Sequence, residues 1–306
     1  MIYPSKLQKG DIIALVAPSS PISEADLQKC IQQVENMGYI PHYSHSVLSH
    51  TAYLAGTDEE RAKDFMQHFE NKEVKAVWAV RGGYGAARMA PYLDLEIIKK
   101  NPKMLIGYSD ITFLLNYIYT RTGLITFHGP VLRQVIPEFS SQEFSKTNHF
   151  LESSELLHFT QDTHIYTPGV AQGKLLGGNL SVLCSMLGTE YEPTAPSIIL
   201  FLEDVGEKPY RIDRMLTQIL QSKMMKKVRG IILGQFTGCD AKDFNLSSNE
   251  TYELKYVFHQ KFLELRTPVW GNFQFGHIAS QLTLAVGAYT KMNTQTQTLI
   301  QYNSPI

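Results

Sequence analysis

The chain of 306 residues has little cysteine: Cys30, Cys184 and Cys239 are all there is. The number is odd and no pair is spaced C-x-x-C, which argues against a disulfide framework and for a reducing compartment. Nowhere is there an apolar run near the roughly 20 residues that a membrane helix needs. The opening Met1-Ile2-Tyr3-Pro4-Ser5-Lys6 lacks the basic and then apolar pattern of a secretory signal. Cytoplasmic location is therefore predicted, with no membrane partner. An excess of charge is also missing. The formal net charge is −1, so no global field gathers nucleic acid, and none is predicted as a partner. The densest basic cluster, Lys223, Lys226, Lys227 and Arg229, reads as a solvated helix end.

Several catalytic signatures are absent or incomplete. There is no H-E-x-x-H. His42, His45 and His50 share a polar segment in which positions i and i+3 of an extended chain face opposite ways. No metal is predicted. Gly83-Tyr84-Gly85 begins like a dinucleotide loop, but Arg88 stands where the third glycine belongs. The first strand runs into Pro18-Ser19-Ser20-Pro21, where prolines remove donors. No nicotinamide, flavin or other cofactor is predicted. Gly107-Tyr108-Ser109-Asp110-Ile111 lacks the second glycine of the hydrolase elbow G-x-S-x-G.

What is present describes an ordinary globular protein, 43% hydrophobic and 19% charged, long enough to bury a core without staples. Residues 11 to 17 read as a fully buried strand, 76 to 80 and Met104-Leu105-Ile106 as apolar ones, and helical periodicity alternates with them, as over 24 to 37. That alternation predicts a parallel sheet covered on both faces. Around 139 to 168 the pattern dissolves. Ile198 to Leu202 then reads as a second buried strand, Pro209 as the first position of a helix, and 229 to 233, 268 to 273, 281 to 286 and 296 to 301 as further strands. The expected organisation is an N-terminal parallel-sheet α/β domain over 1–150, a linker over 151–170, and a smaller, strand-rich C-terminal α/β domain over 171–306.

Three features can carry chemistry. Ser109 lies in a tight turn between a buried strand and a helix. A serine there is commonly an N-cap, but Thr112 stands where a capping box wants Glu or Gln, and the same position can present a nucleophile beside free backbone N–H groups. Arg81-Gly82-Gly83-Tyr84-Gly85 follows another strand. It reads as a tight turn, or as a loop whose N–H groups approach an anion closely. Glu203 ends an apolar strand, and His277 follows Gly271-Asn272-Phe273-Gln274-Phe275-Gly276. Each has a bland reading, as a surface acid and a structural histidine. Together they could supply the base and carboxylate that a serine hydroxyl needs. His128 is core or cleft, and His68, His149 and His259 read as solvated surface.

These residues resemble the LD-carboxypeptidases, serine peptidases with a Ser-Glu-His triad. The matching pieces are Gly10-Asp11-Ile12 to Ala17-Pro18-Ser19, Leu54-Ala55-Gly56-Thr57-Asp58, Arg81 to Gly85, Ile106 to Asp110, His128-Gly129-Pro130, Gly177-Gly178-Asn179-Leu180, Leu202 to Glu207, and Gly276-His277. The resemblance implies Ser109 as nucleophile, His277 as general base and then acid, and Glu203 as the residue orienting it. It also implies an oxyanion hole from the Asp110 backbone N–H and that of Gly82 or Gly83. Further, it implies a homodimer, no metal, and cleavage of the bond between an L- and a D-configured residue. The expected substrate is a murein tetrapeptide that loses its terminal D-alanine in cell-wall recycling. A branch resembling microcin immunity proteins cleaves a peptidyl-adenylate analogue instead; its longer loop before the Glu strand contrasts with the short Gly188 to Pro196 here. A non-catalytic peptide- or sugar-binding module is the remaining alternative. Arg81, Arg88 and Arg133 are open candidates for gripping the substrate carboxylate. Ala285 stands where many relatives carry proline, and a packing difference is expected there.

Overall fold

A computed structural model describes residues 1–134, 157–159, 164–240, 254–263, 265–279 and 281–302. The chain divides into two units. The first comprises Met1–Leu156, Ala279–Gly287 and Asn303–Ile306, and the second Leu157–Ile278 and Ala288–Tyr302.

The first unit holds six strands: β1 (Ile12–Val16), β2 (Ile40–His42), β3 (Val74–Ala79), β4 (Met104–Gly107), β5 (Thr126–His128) and β12 (Leu284–Val286). Their order is β12-β5-β4-β3-β1-β2. All neighbours are parallel except β12, which runs antiparallel to β5. β1 and β4 are apolar throughout because a parallel sheet is covered on both faces. The helices are α1 (Glu24–Asn36), α2 (Asp58–Glu70), α3 (Leu95–Lys100) and α4 (Thr112–Thr122). Their ends carry the expected chemistry. Ser23 caps α1 by accepting from the Asp26 N–H, and Thr57 and Glu60 form a complete capping box on α2. Gly123 closes α4 in the left-handed conformation. From β1 the chain moves outward to β2 and then crosses back to β3. The order therefore reverses at β1, and ligand sites of open α/β sheets lie beyond the carboxyl ends of strands at such a point.

The second unit holds eight strands: β6 (Leu157–Phe159), β7 (His164–Thr167), β8 (Val170–Asn179), β9 (Ile198–Val205), β10 (Val228–Thr237), β11 (Val269–Gly271), β13 (Tyr289–Asn293) and β14 (Thr298–Tyr302). Their order is β6-β14-β13-β8-β9-β10-β11-β7. β8 to β11 are mutually parallel, and the outer strands pair antiparallel. Three helices accompany them: α5 (Leu180–Met186), α6 (Pro209–Gln221) and α7 (Leu254–Phe262). Pro209 opens α6, and Ile212, Leu216 and Ile219 bury one stripe of it.

The sequence-based organisation differs in places. The expected irregular stretch and linker lie partly outside the described residues, but His164–Thr167 and Val170–Asn179 are strands. Their alternation was hard to see because glycines and polar residues interrupt it. β12 is a strand as expected, yet it joins the sheet of the first unit. Ala285 sits in it opposite Phe127, fully buried. His68 is buried, not solvated: it lies on α2 one turn from Asp64, its Nε2 3.6 Å from the carboxylate. His128 is core. His259 is exposed, and His149 lies outside the described residues.

Candidate active site

β4 ends at Gly107, and residues Ser109–Ile111 form one 3-10 turn before α4 begins. Ser109 has φ +62°, in the left-handed region. A non-glycine residue there costs about 1–3 kcal/mol and persists only where its surroundings enforce it. Ser109 is therefore not an N-cap. The reversal places Ser109, partly exposed, just past the carboxyl end of β4. Gly82 makes room for it: a Cβ at Gly82 would stand 3.0 Å from the Ser109 Cβ and 3.2 Å from its Oγ. The neighbouring Gly83 has φ +119°, and a side chain on it would collide with Ser20.

The Asp110 carboxylate ties this turn down from beneath. Its Oδ2 accepts from the Ser19 hydroxyl at 2.6 Å and from the Ala86 N–H at 2.8 Å. One carboxylate thus joins the loops after β1, β3 and β4. Burial pushes the Asp110 carboxyl above its ordinary value, while the Ser19 hydroxyl, the Ala86 N–H and the Arg61 charge pull it back down. Arg61, buried on α2, donates to the carbonyls of Pro18 and Gly85 and pairs with Asp58. These supports were not among the sequence candidates. The sequence points to Asp110 only through its backbone N–H, because pairing across 91 residues leaves no local signal.

In the second unit, Glu203 lies on β9 and is 0% exposed. Its Oε2 is 2.8 Å from Nδ1 of His277. Burial raises the Glu203 carboxyl above the ordinary range, against the opposite pull of His277. With the carboxylate accepting at Nδ1, the neutral ring holds its proton there and Nε2 is its acceptor. The loop carrying His277 is pinned to β10. The Phe273 N–H donates to the Leu233 carbonyl, the Gln235 N–H to the Phe275 carbonyl, and the Thr237 hydroxyl to the His277 carbonyl. Phe273 and Phe275 are fully buried, which anchors the loop in the core. Gly276, at φ +111°, allows the approach: a Cβ there would lie 2.9 Å from both Cβ and Oε2 of Glu203. Next along β9, Asp204 accepts from the Asn179 amide and from the backbone and hydroxyl of Ser181. Asn179 in turn caps α5.

Two family models match this chain: the LD-carboxypeptidase N-terminal domain over residues 13–129 and the LD-carboxypeptidase C-terminal domain over residues 172–292. The chain belongs to the LD-carboxypeptidase family. It is thus a member of a family of serine-type peptidases. A probable murein peptide carboxypeptidase of Bacillus subtilis is 34% identical over 305 residues, covering 97% of this chain and 93% of the relative. A murein tetrapeptide carboxypeptidase of Pseudomonas aeruginosa is 34% identical over 275 residues, 87% of each chain. Among solved structures, an MccF-like protein of Bacillus anthracis superposes with a TM-score of 0.86 at 26% identity, covering 99% of both chains.

Each arginine offered as a candidate carboxylate grip already has a partner in this chain. Arg81 donates to the Pro21 carbonyl, Arg88 pairs with Asp58, and Arg133 pairs with Asp26. Among the described residues, no group of three or more His, Cys, Asp and Glu side chains is placed to hold a metal ion. No helix among them is long and apolar enough to cross a membrane. The three cysteines are buried and unlinked. Burial holds the thiols of Cys30 and Cys184 up at about 12 and that of Cys239 at about 11, so they stay protonated and unreactive.

Proposed function

We propose that this chain hydrolyses an L,D-peptide bond and releases the terminal D-alanine of a murein tetrapeptide. The observation that carries the reading is the 2.8 Å contact between the buried Glu203 carboxylate and His277 Nδ1, in a chain of a serine-peptidase family whose Ser109 stands on a strained turn at a strand end. The Ser109 hydroxyl attacks the carbonyl carbon as His277 Nε2 takes its proton. Glu203 orients the ring and stabilises the imidazolium. The N–H groups of Asp110 and of Gly82 or Gly83 hold the oxyanion. His277 then gives the proton to the departing amine as the C–N bond breaks, leaving an ester on Ser109. Water, deprotonated by His277, cleaves that ester and restores the hydroxyl. The names of the two curated relatives support murein peptide as the substrate. The short connection over 187–197 supports it over a peptidyl-adenylate analogue. The same reading has the enzyme working as a cytoplasmic homodimer.

Mass spectrometry of murein tetrapeptide incubated with the protein is expected to show tripeptide and free D-alanine. If only a peptidyl-adenylate analogue were cleaved, the murein assignment would give way to the microcin-immunity type. If both substrates bound and neither were cleaved, the chain would be a binding module.

A further inference from the structure

In the first unit two tyrosines are more exposed than their size favours. Tyr53 is 59% and Tyr84 is 54% exposed, and their rings contact each other at 5.8 Å between centroids. Their planes are tilted by 57°, so each exposed ring offers its own face to a ligand rather than both sharing one flat surface. Tyr84 belongs to the loop after β3 that meets Ser109 at Gly82, and Tyr53 packs against Tyr84 from a neighbouring turn. Tyr84 is two residues from Gly82, so their Cα atoms are at most about 7 Å apart.

The pair is held by rigid backbone. Thr51 and Leu54 exchange backbone hydrogen bonds at 2.8 and 3.0 Å, closing a tight turn with Tyr53 at its tip and Ala52 at φ +53°. Leu54 is buried under Gly85, which has no room for a side chain there. The Ala55 N–H donates to the Ser19 carbonyl, tying this turn to the end of β1. Arg88, four residues past Tyr84, is held to Asp58 by its Nε at 3.0 Å and its NH2 at 2.9 Å. The platform is thus preformed, and ordering it costs a ligand little.

We infer that Tyr53 and Tyr84 form a stacking platform for the peptide portion of the substrate, beside the bond cleaved at Ser109. This rests on the proposed function. The short span from Gly82 to Tyr84 favours the residues flanking the scissile bond over a sugar at the far end of the stem. The rings touch each other, so the peptide lies across them and is not sandwiched between them. The function of the platform is binding and positioning; the tyrosines move no proton.

The test uses the full chain. Tetrapeptide binding is measured by calorimetry in the Ser109→Ala protein, with Tyr53→Ala, Tyr84→Ala and the two Phe variants added singly. Each Ala change is expected to weaken binding by roughly three- to tenfold, and each Phe change to preserve it. With Ser109 restored, the Ala variants are expected to raise KM for D-alanine release, with thermal melting unchanged. Undiminished binding in both Ala variants would overturn the inference. So would Phe variants as weak as Ala, or an effect seen only when the peptide carries its muramoyl sugar. A wild-type protein that binds the tetrapeptide across these rings but releases no D-alanine would refute the proposed function and leave the platform standing.

Discussion

The Ser109 turn and the Glu203–His277 pair are positioned by different physics. At Ser109 the cost is conformational: a serine at φ +62°, a glycine neighbour without room for Cβ, and a carboxylate tying three loops together. At Glu203 the cost is electrostatic: a carboxylate removed from water and balanced by one imidazole. Strain at a backbone torsion does not depend on pH, whereas the burden of a buried carboxylate does. Substitutions and pH therefore separate the two regions.

Short of removing the nucleophile itself, the largest effect is expected from Glu203→Gln. Loss of the orienting charge should lower turnover roughly a thousandfold or more. Stability should move the other way. Burial raises the folded-state value of Glu203, so the unfolded chain gives up this proton first, and the stabilisation present in acid is lost as pH rises through the folded-state value. Thermal melts across pH should show the Gln variant at least as stable as wild type above the carboxylate range, with that advantage gone in acid. A variant less stable than wild type at neutral pH would break the comparison.

A smaller loss is expected from Gly276→Val. The branched side chain would meet Glu203 and force a positive φ that valine resists. Displacing the ring by about 1 Å should cost about a hundredfold in kcat, and the kinetics of the purified variant check this. Retained activity would mean that the loop does not need its approach to β9.

The smallest effect should come from the opposite end of β4. Lys103 is buried just before that strand and donates to the carbonyls of Asn71 and Val74. Burial holds its ammonium down to about 8. Between that pH and the ordinary lysine value of about 10.4, the unfolded chain binds more protons, so stability rises with pH. Melts of Lys103→Met should lack this rise, while D-alanine release stays as in wild type. A changed kcat would mean that the two ends of β4 are coupled.

Much of this was legible in the sequence where the signal is local. The runs over residues 12–16, 76–79, 104–107 and 198–202 have no polar interruption, and glycine and serine gather in the turns that follow. Pro209 marks the start of α6. Long-range pairing was not legible. Nothing in Leu284-Ala285-Val286 says that it pairs with β5. Nothing in the Asp110 side chain points to Ser19, or in the apparently polar His68 to a buried site beside Asp64. The 3-10 turn at Ser109–Ile111 was hidden for a related reason. Its left-handed residue is a serine, and tertiary contacts, not residue preference, enforce it.

The most direct measurement is D-alanine release from murein tetrapeptide by wild type and Ser109→Ala, with the melting temperature of each. The account predicts a loss of at least about a thousandfold in the variant with the melting temperature maintained, because alanine carries the same Cβ in the same turn. Turnover by Ser109→Ala at the wild-type rate would contradict it.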